Sequence, residues 1–189
     1  MTDWVFGYGS LVTDLVTSSD ENGFEWFWAN LGNHRRDWGA GMENAAADAD
    51  WKYYVDSRGT RPDIVVAFLD AYPHSGSSIN GVVFAVDESR LREIDRREVR
   101  YSRVEVTDLV TTAGWGDGRV WTYRGSEKSR EVALRGRRED RAFVSMDYAA
   151  HCRHGFSLGG EQALHQFQLS TDPLDLPLRE LTMFLSDPG

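Results

Sequence analysis

Runs of apolar, aromatic and β-branched residues, separated by turn residues, predict mainly strands up to position 124. We expect the extended segments to be residues 4–8, 24–28, 33–38, 64–69, 79–86, 101–110 and 120–123. Residues 17–23 are polar and predict a loop, and Gly81 marks a place where another backbone passes close to a strand. Residues 39–50, rich in Gly, Ala and Asp, predict either an exposed segment of low order or a short Ala-rich helix.

The hydrophobic period then changes to that of a helix. Leu91 and Ile94 lie three positions apart and Asp87 is a suitable N-cap, so residues 88–98 predict a helix. The densely charged residues 126–141 are either a solvated linker or an exposed helix. Further helices are expected at residues 144–154, 161–169 and 177–185.

Strands followed by helices, with one helix inserted among the strands, predict an α+β fold. We expect a mixed β-sheet or barrel core with helices packed outside it. The length of 189 residues suits a single domain spanning residues 1–189, and it is enough to bury a core without disulfides or metal ions.

Composition and charge narrow the classes of partner. The chain carries 21 basic and 30 acidic residues, a net charge of −9, so its surface repels phosphate backbones and nucleic acid is not an expected partner. The single cysteine, Cys152, excludes an intrachain disulfide. The first residues lack the pattern of a signal peptide, and no apolar run approaches the ~18 residues that cross a bilayer. We therefore expect a cytoplasmic protein with no membrane partner.

The first candidate site is the Gly-containing segment that directly follows the first predicted strand, residues 6–11. Its small residues let successive backbone N–H groups point into one space, a nest that holds a carboxylate or phosphate. An ordinary Gly-containing turn is an equally good interpretation of this spacing. A dinucleotide-binding loop beginning at Gly7 is excluded, because it requires Gly where Val12 stands.

The second candidate site closes the helix predicted between two strands. Glu98 lies at its end, where a reversal of the chain often lines a cleft. The alternative is a solvated charged face with pairs such as Glu93 and Arg97, and the pattern alone favours that alternative.

A third group, at residues 151–154, places two imidazoles around the only thiol. His151 and His154 would lie on one side of a helix, with Cys152 between them. No further ligand appears at metal-binding spacing, and Cys152 has no context typical of a nucleophile. A metal-binding helical domain built on the two histidines is nevertheless a rival interpretation.

The first two segments together resemble the gamma-glutamylcyclotransferase family. Its first strand ends in an aromatic-x-Tyr-Gly-Ser-Asn/Leu segment, matched by residues 5–11, and Leu11 is more similar to the glutathione-acting branch. The second feature of the family is a Gly-x-hydrophobic strand that leads to a short helix ending in Leu-Asp-x-x-Glu, followed by a Tyr. In this chain Gly81 matches the strand, residues 94–98 match the end of the helix, and Tyr101 is the Tyr that follows. Residues 31–38 resemble the Gly-x-x-Arg-aromatic segment of that branch.

Two features depart from the family pattern. The connection from Glu98 to Tyr101 is shorter than the family's Gly-containing one, and residues 39–50 have no counterpart. The matching segments extend over residues 4–124, whereas the C-terminal third matches loosely.

The resemblance implies an enzyme that converts a γ-glutamyl amide to 5-oxoproline and a free amine, without a cofactor or metal ion. It implies that Glu98 is the general base and acid. The substrate-binding residues that it implies are Val5, Phe6, Gly7, Tyr8, Gly9, Ser10, Leu11 and Tyr123. Of these, Tyr123 is either a hydrogen-bond donor to the substrate or a core tyrosine.

The partner implied is thus a small γ-glutamyl substrate. Its leaving group and the oligomeric state stay open, although the acidic surface slightly favours a cationic leaving group. A non-catalytic interaction module on the same fold is the alternative function. In either case the strands beginning at Trp4 and Ile79 are expected to share a sheet, because both motifs must meet in one cavity.

Overall fold

A computed structural model of the protein describes residues 2–22, 25–45, 52–112, 114 and 116–185. Within these ranges the chain forms ten strands and five α-helices. The strands are β1 (Thr2–Gly7), β2 (Trp26–Glu43), β3 (Lys52–Val55), β4 (Val65–Val86), β5 (Tyr101–Glu105), β6 (Val110–Thr111), β7 (Gly118–Gly125), β8 (Ala142–Ser145), β9 (Leu178–Arg179) and β10 (Thr182–Leu185). The helices are α1 (Ser10–Asn22), α2 (Glu88–Arg97), α3 (Glu127–Arg138), α4 (Met146–Leu158) and α5 (Glu161–Leu169).

The main sheet is mixed and curls into a half-barrel with the helices around it. Its strand order is β5-β7-β1-β4-β2-β6, with β8 joined to β4 and β9 joined to β8. Strand β1 is antiparallel to β4 and parallel to β7, and Phe6 lies opposite Val83. The predicted α+β fold is confirmed, and so is the prediction that the strands from Trp4 and Ile79 share a sheet.

Strand β1 lies in the interior because it has neighbours along both edges. Residues 4–7 are all buried, as expected for a continuous apolar run covered on both faces. Gly81 on β4 is where the backbones come closest, and a Cβ there would overlap the Gly7 carbonyl oxygen. The close approach predicted at Gly81 is therefore confirmed.

Strands β2 and β4 form one long antiparallel pair of 18 and 22 residues. The predicted strands at 64–69 and 79–86 are thus two parts of β4. The prediction for residues 39–43 is wrong, because they end β2, and Ala40 and Met42 are buried there. Gly41, which has no side chain, lets α3 pack closely against β2, since a Cβ there would meet the backbone of Ala133. Residues 46–50 of the same prediction lie outside the described residues.

Helix α1 replaces most of the loop predicted at residues 17–23. Its signal is an apolar stripe at Val12, Leu15 and Val16, of which Val12 and Leu15 are buried. The last position of that predicted loop, like position 24 of the next predicted strand, lies outside the described residues.

The helix predicted at residues 177–185 is also wrong. This segment forms β9 and β10, in which Leu178 pairs with Val144 on β8 and Phe184 pairs with Tyr53 on β3. Strand edges that are distant in sequence supply the hydrogen-bond partners here, so tertiary pairing overrides the local pattern. Helix α5 lies where it was predicted, whereas α4 begins at Met146, after the short strand β8.

The other helix predictions hold in outline. Helix α2 is capped by the Asp87 carboxylate, which accepts from the Arg90 N–H at 2.7 Å, and Leu91 and Ile94 are buried as predicted. The charged residues 126–141 contain a helix, α3, with one buried face. The strand predicted at residues 101–110 ends earlier, at Glu105. No helix formed by the described residues is long and apolar enough to cross a bilayer.

Candidate active site

Two neighbouring cavities lie where β1 ends. The smaller, of about 40 Å³, is lined by residues 6–11 together with Leu69, Glu98, Tyr101, Tyr123 and Tyr148. The larger, of about 650 Å³, shares four of its lining residues with the smaller one, namely Ser10, Glu98, Tyr101 and Tyr148. The Gly-containing segment and Glu98, more than 80 positions apart in the sequence, therefore line one cavity.

The Gly-containing segment joins the end of β1 to the N-terminus of α1. The Val12 N–H donates to the Gly9 carbonyl at 3.0 Å, which closes the first turn. Most backbone N–H groups in the first turn of a helix have no partner within the helix, and together they carry the positive end of the helix dipole. The segment lining the smaller cavity thus has the electrostatic character of a carboxylate site.

Tyr8 fixes the orientation of this segment from the side of the core. Its side chain is buried, and its hydroxyl donates to the Tyr123 carbonyl at 2.6 Å. Its own carbonyl accepts from Arg36 Nε at 2.9 Å. Because the Tyr8–Gly9 peptide is trans, the Gly9 N–H points away from Arg36.

Arg36 is a fully buried guanidinium. Besides Tyr8, it donates to Ser170 Oγ at 2.8 Å and to Asn80 Oδ1 at 3.0 Å, and it also contacts the Asn80 carbonyl. The rings of Phe156 and Phe167 each lie 4.9 Å from its Cζ. Burial lowers the pKa of Arg36 to about 9, so it stays protonated at neutral pH.

Glu98 is placed by the end of α2 and by a tight turn. Its N–H donates to the Ile94 carbonyl, and its carbonyl accepts from the Tyr101 N–H, both at 2.8 Å. The side chain is only 16% exposed, and Oε1 lies 3.3 Å from Arg97 Nε. Burial raises the pKa of Glu98, and the positive charges of Arg97 and Lys52 offset part of that rise. A carboxylate with a raised pKa suits general base catalysis.

The short connection after Glu98 is a tight turn that brings Tyr101 to the same cavities. The chain turns within residues 98–101, and Tyr101 at the start of β5 lines both cavities. The Tyr101 hydroxyl donates to the Leu69 carbonyl at 2.8 Å, which ties the turn to β4.

Two of the residues implied as substrate-binding, Val5 and Tyr123, do not present a free side chain to either cavity as the resemblance implies. Val5 is fully buried in the hydrophobic core and lines neither cavity. Tyr123 lines the smaller cavity, but its hydroxyl donates to Asp95 Oδ1 at 2.8 Å. Burial and the neighbouring Asp95 raise the pKa of Tyr123. A hydrogen bond from this hydroxyl to a substrate would require loss of the bond to Asp95.

The histidine–cysteine group does not assemble a ligand set. His151 Nε2 lies 2.8 Å from Asp14 Oδ1, which accepts its N–H, and His154 is exposed. Cys152 is fully buried, and burial raises the pKa of its thiol to about 12. No cluster of three His, Cys, Asp or Glu side chains among the described residues could hold a metal ion.

Sequence reasoning missed several residues of the site. Tyr148 on α4 lines both cavities, and Lys52 on β3 lines the larger one, although neither belongs to a recognisable motif. Asp14 also lines the larger cavity, where its carboxylate accepts from Arg97 at 2.7 Å. Arg36 lies within residues 31–38, but Gly-x-x-Arg counted from Gly32 ends on Arg35, so the motif indicated neither Arg36 nor its contact with Tyr8.

Comparison with solved structures identifies the fold. A structure described as a gamma-glutamyl cyclotransferase is 15% identical, with a TM-score of 0.57 over 99% of this chain and 95% of that one. A human protein described as uncharacterised is 16% identical, with a TM-score of 0.56 over 98% of this chain and 94% of that one. YkqA from Bacillus subtilis is 15% identical, with a TM-score of 0.58 over 94% of this chain and 56% of that one.

This likeness shows that the chain has a gamma-glutamyl cyclotransferase-like fold, and it confirms at that level the resemblance seen in the sequence. No protein-family model matches the sequence, and no curated protein matches it significantly.

Proposed function

We propose that the protein is a gamma-glutamylcyclotransferase-like enzyme that releases 5-oxoproline and a free amine from a γ-glutamyl amide. The observation that carries this proposal is the convergence of residues 6–11 and Glu98 on one small cavity. A carboxylate-binding segment and a buried base are the two elements that this cyclisation needs.

Binding would begin with the glutamyl group in the smaller cavity. The backbone N–H groups at the start of α1 hold the substrate's α-carboxylate, and the Ser10 hydroxyl adds a further donor. The rings of Phe6 and Tyr8 form part of the wall. Held in this way, the glutamyl chain folds back so that its α-nitrogen approaches its own γ-carbonyl carbon. Intramolecular reactions with such positioning reach effective molarities of up to ~10⁵–10⁸ M.

Glu98 then acts first as a general base and afterwards as a general acid. Its carboxylate takes a proton from the α-ammonium group, and the neutral nitrogen attacks the γ-carbonyl carbon to form the five-membered ring. The bond between that carbon and the amide nitrogen breaks as protonated Glu98 gives its proton to the departing nitrogen. The ring nitrogen still carries two protons after the attack, and it loses one of them to the released amine, which leaves as an ammonium group. The products are 5-oxoproline and the free amine. Because the substrate supplies its own nucleophile, the reaction requires no cofactor or metal ion.

The direct test is product release by the purified protein. Incubation with γ-glutamyl amides should yield 5-oxoproline and the matching amine in equal amounts, detected by mass spectrometry, with and without EDTA. Turnover of no γ-glutamyl amide would refute the enzyme and leave the non-catalytic interaction module as the better account. Loss of turnover in EDTA, restored by zinc, would favour the histidine-based metal site instead.

A further inference from the structure

The larger cavity is closed on one side by the two-stranded sheet of β3 and β10. In this sheet Lys52 pairs with Leu185, and both residues line the cavity. Lys52 Nζ lies 4.8 Å from the centre of the Phe68 ring, which also lines the cavity. The ammonium group is thus held against an aromatic face in the wall of an open space.

Lys52 forms no ion pair with any carboxylate that the structure describes, whereas four other charged or ionisable side chains of this cavity contact one another. Arg97 pairs with Asp14 at 2.7 Å, and it lies 3.3 Å from Glu98. Asp14 is also in contact with His151. Asp147 lines the cavity too, but it is exposed in the first turn of α4, where solvent screens its charge.

Lys52 is nevertheless charged at neutral pH. Burial lowers its pKa to about 8, which leaves most molecules protonated at pH 7. The negative charges of Glu98 and Asp14 favour the charged form of Lys52 without forming a direct ion pair with it. A partly buried cation with no direct ion pair is costly, and an anion that binds beside it recovers part of that cost. The position therefore favours an anionic ligand group.

We propose that Lys52 is a specificity-determining residue that binds a carboxylate on the leaving amine of the substrate. The inference rests on the proposed function. With the glutamyl group in the smaller cavity, the scissile amide lies near the shared residues Glu98 and Tyr101, and the leaving amine extends into the larger cavity.

The substrate class is then γ-glutamyl amino acids or peptides, rather than γ-glutamyl polyamines or alkylamines. The net surface charge of −9 suggests the opposite preference, but a contact at the binding position outweighs a distant screened field.

The test compares two substrates of equal size, γ-glutamyl-alanine and γ-glutamyl-alaninamide. The wild-type protein should favour the carboxylate in kcat/KM by roughly tenfold to a hundredfold, the usual range for a hydrogen bond to a charged group. Lys52→Met, which keeps the unbranched stem over Phe68, should reduce this ratio to near one. Lys52→Arg should preserve most of the preference, since it retains the charge.

The matched control is Lys128→Met, which changes the only other lysine, an exposed residue on α3 that lines neither cavity. Its ratio should equal that of the wild type.

Three results would overturn the inference. The first is an equal kcat/KM of the wild-type protein for both substrates. This result can be obtained without any variant, and it leaves the proposed function standing. Another is a Lys52→Met variant in which both activities fall while the ratio is kept, because Lys52 would then act on the glutamyl group. Release of 5-oxoproline from neither substrate would instead refute the proposed function, and the inference with it.

Discussion

Arg36 Nε donates to the carbonyl oxygen of Tyr8 at 2.9 Å, so the backbone of the Gly-containing segment is held from inside the core. The same guanidinium donates to Ser170 at the end of α5, and its Cζ lies 4.9 Å from the centre of each of two stacked aromatic rings, Phe156 of α4 and Phe167 of α5. The C-terminal helices α4 and α5, for which the sequence suggested no role, therefore contact the arginine that positions the candidate carboxylate site.

Replacing Arg36 by Met should destabilise the fold strongly. The change leaves the buried acceptors of Tyr8, Ser170 and Asn80 without a donor, and each such loss costs ~1–3 kcal/mol. We expect the free energy of unfolding in urea to fall by at least ~3 kcal/mol. Arg35→Met is the matched control. Its ion pair with Asp172 is partly exposed, so it should cost less than ~1 kcal/mol. Equal losses from the two variants would contradict the role assigned to Arg36.

The raised pKa of Glu98 makes stability depend on pH. Burial raises this pKa in the folded chain above its ordinary value of 4.5, so the folded state keeps a proton that the unfolded state has released. Stability from this group therefore declines as pH rises from about 4.5 through the folded pKa, and then levels off. The Glu98→Gln variant lacks this decline, so its Tm should rise relative to wild type between pH 4 and pH 8.

The control for that measurement is Glu93→Gln on the exposed face of α2, where the carboxylate contacts Arg90 at 2.9 Å. Its Tm difference from wild type should stay nearly constant over the same range. A constant or falling difference for Glu98→Gln would show that Glu98 is ionised as easily in the folded state as in the unfolded one.

Cys152 should be inert in the folded protein. Its thiol is fully buried, and burial raises its pKa to about 12, so almost no thiolate exists at neutral pH. As the only cysteine, it gives a clean signal in a thiol-labelling assay. Labelling at pH 8 should be slow in buffer and complete within minutes in guanidinium chloride. Rapid labelling of the folded protein would reopen a nucleophilic role for this residue.

The sequence was most informative where structure depends on local pattern. The apolar runs in β1 and β4 and the N-cap at Asp87 were sufficient to predict their elements. Residues 177–185 were not, because their spacing suits a helix and only the distant edges of β3 and β8 favour strands. For the same reason the sequence did not indicate that Lys52 lines a cavity, since its position in the cavity wall depends on the pairing of β3 with β10.

In the candidate site, too, some residues could be predicted from the sequence and others could not. The Gly-containing segment and Glu98 were found from their order along the chain, and the curled sheet brings them to one cavity. The bond of Tyr123 to Asp95 and the core position of Val5 depend on packing between elements, which motif spacing does not encode.

The central claim is that Glu98 transfers the proton in the cyclisation, and Glu98→Gln tests it most directly. The variant keeps the volume of the side chain and removes the base, while residues 6–11 still bind the glutamyl group. General acid–base catalysis contributes ~10²–10⁴-fold, so kcat for a γ-glutamyl amide should fall by at least ~10²-fold, with a much smaller change in KM. Glu93→Gln, earlier on the same helix, should match the wild type. A Glu98→Gln enzyme that retains the wild-type kcat would contradict the account, because the base would then lie elsewhere.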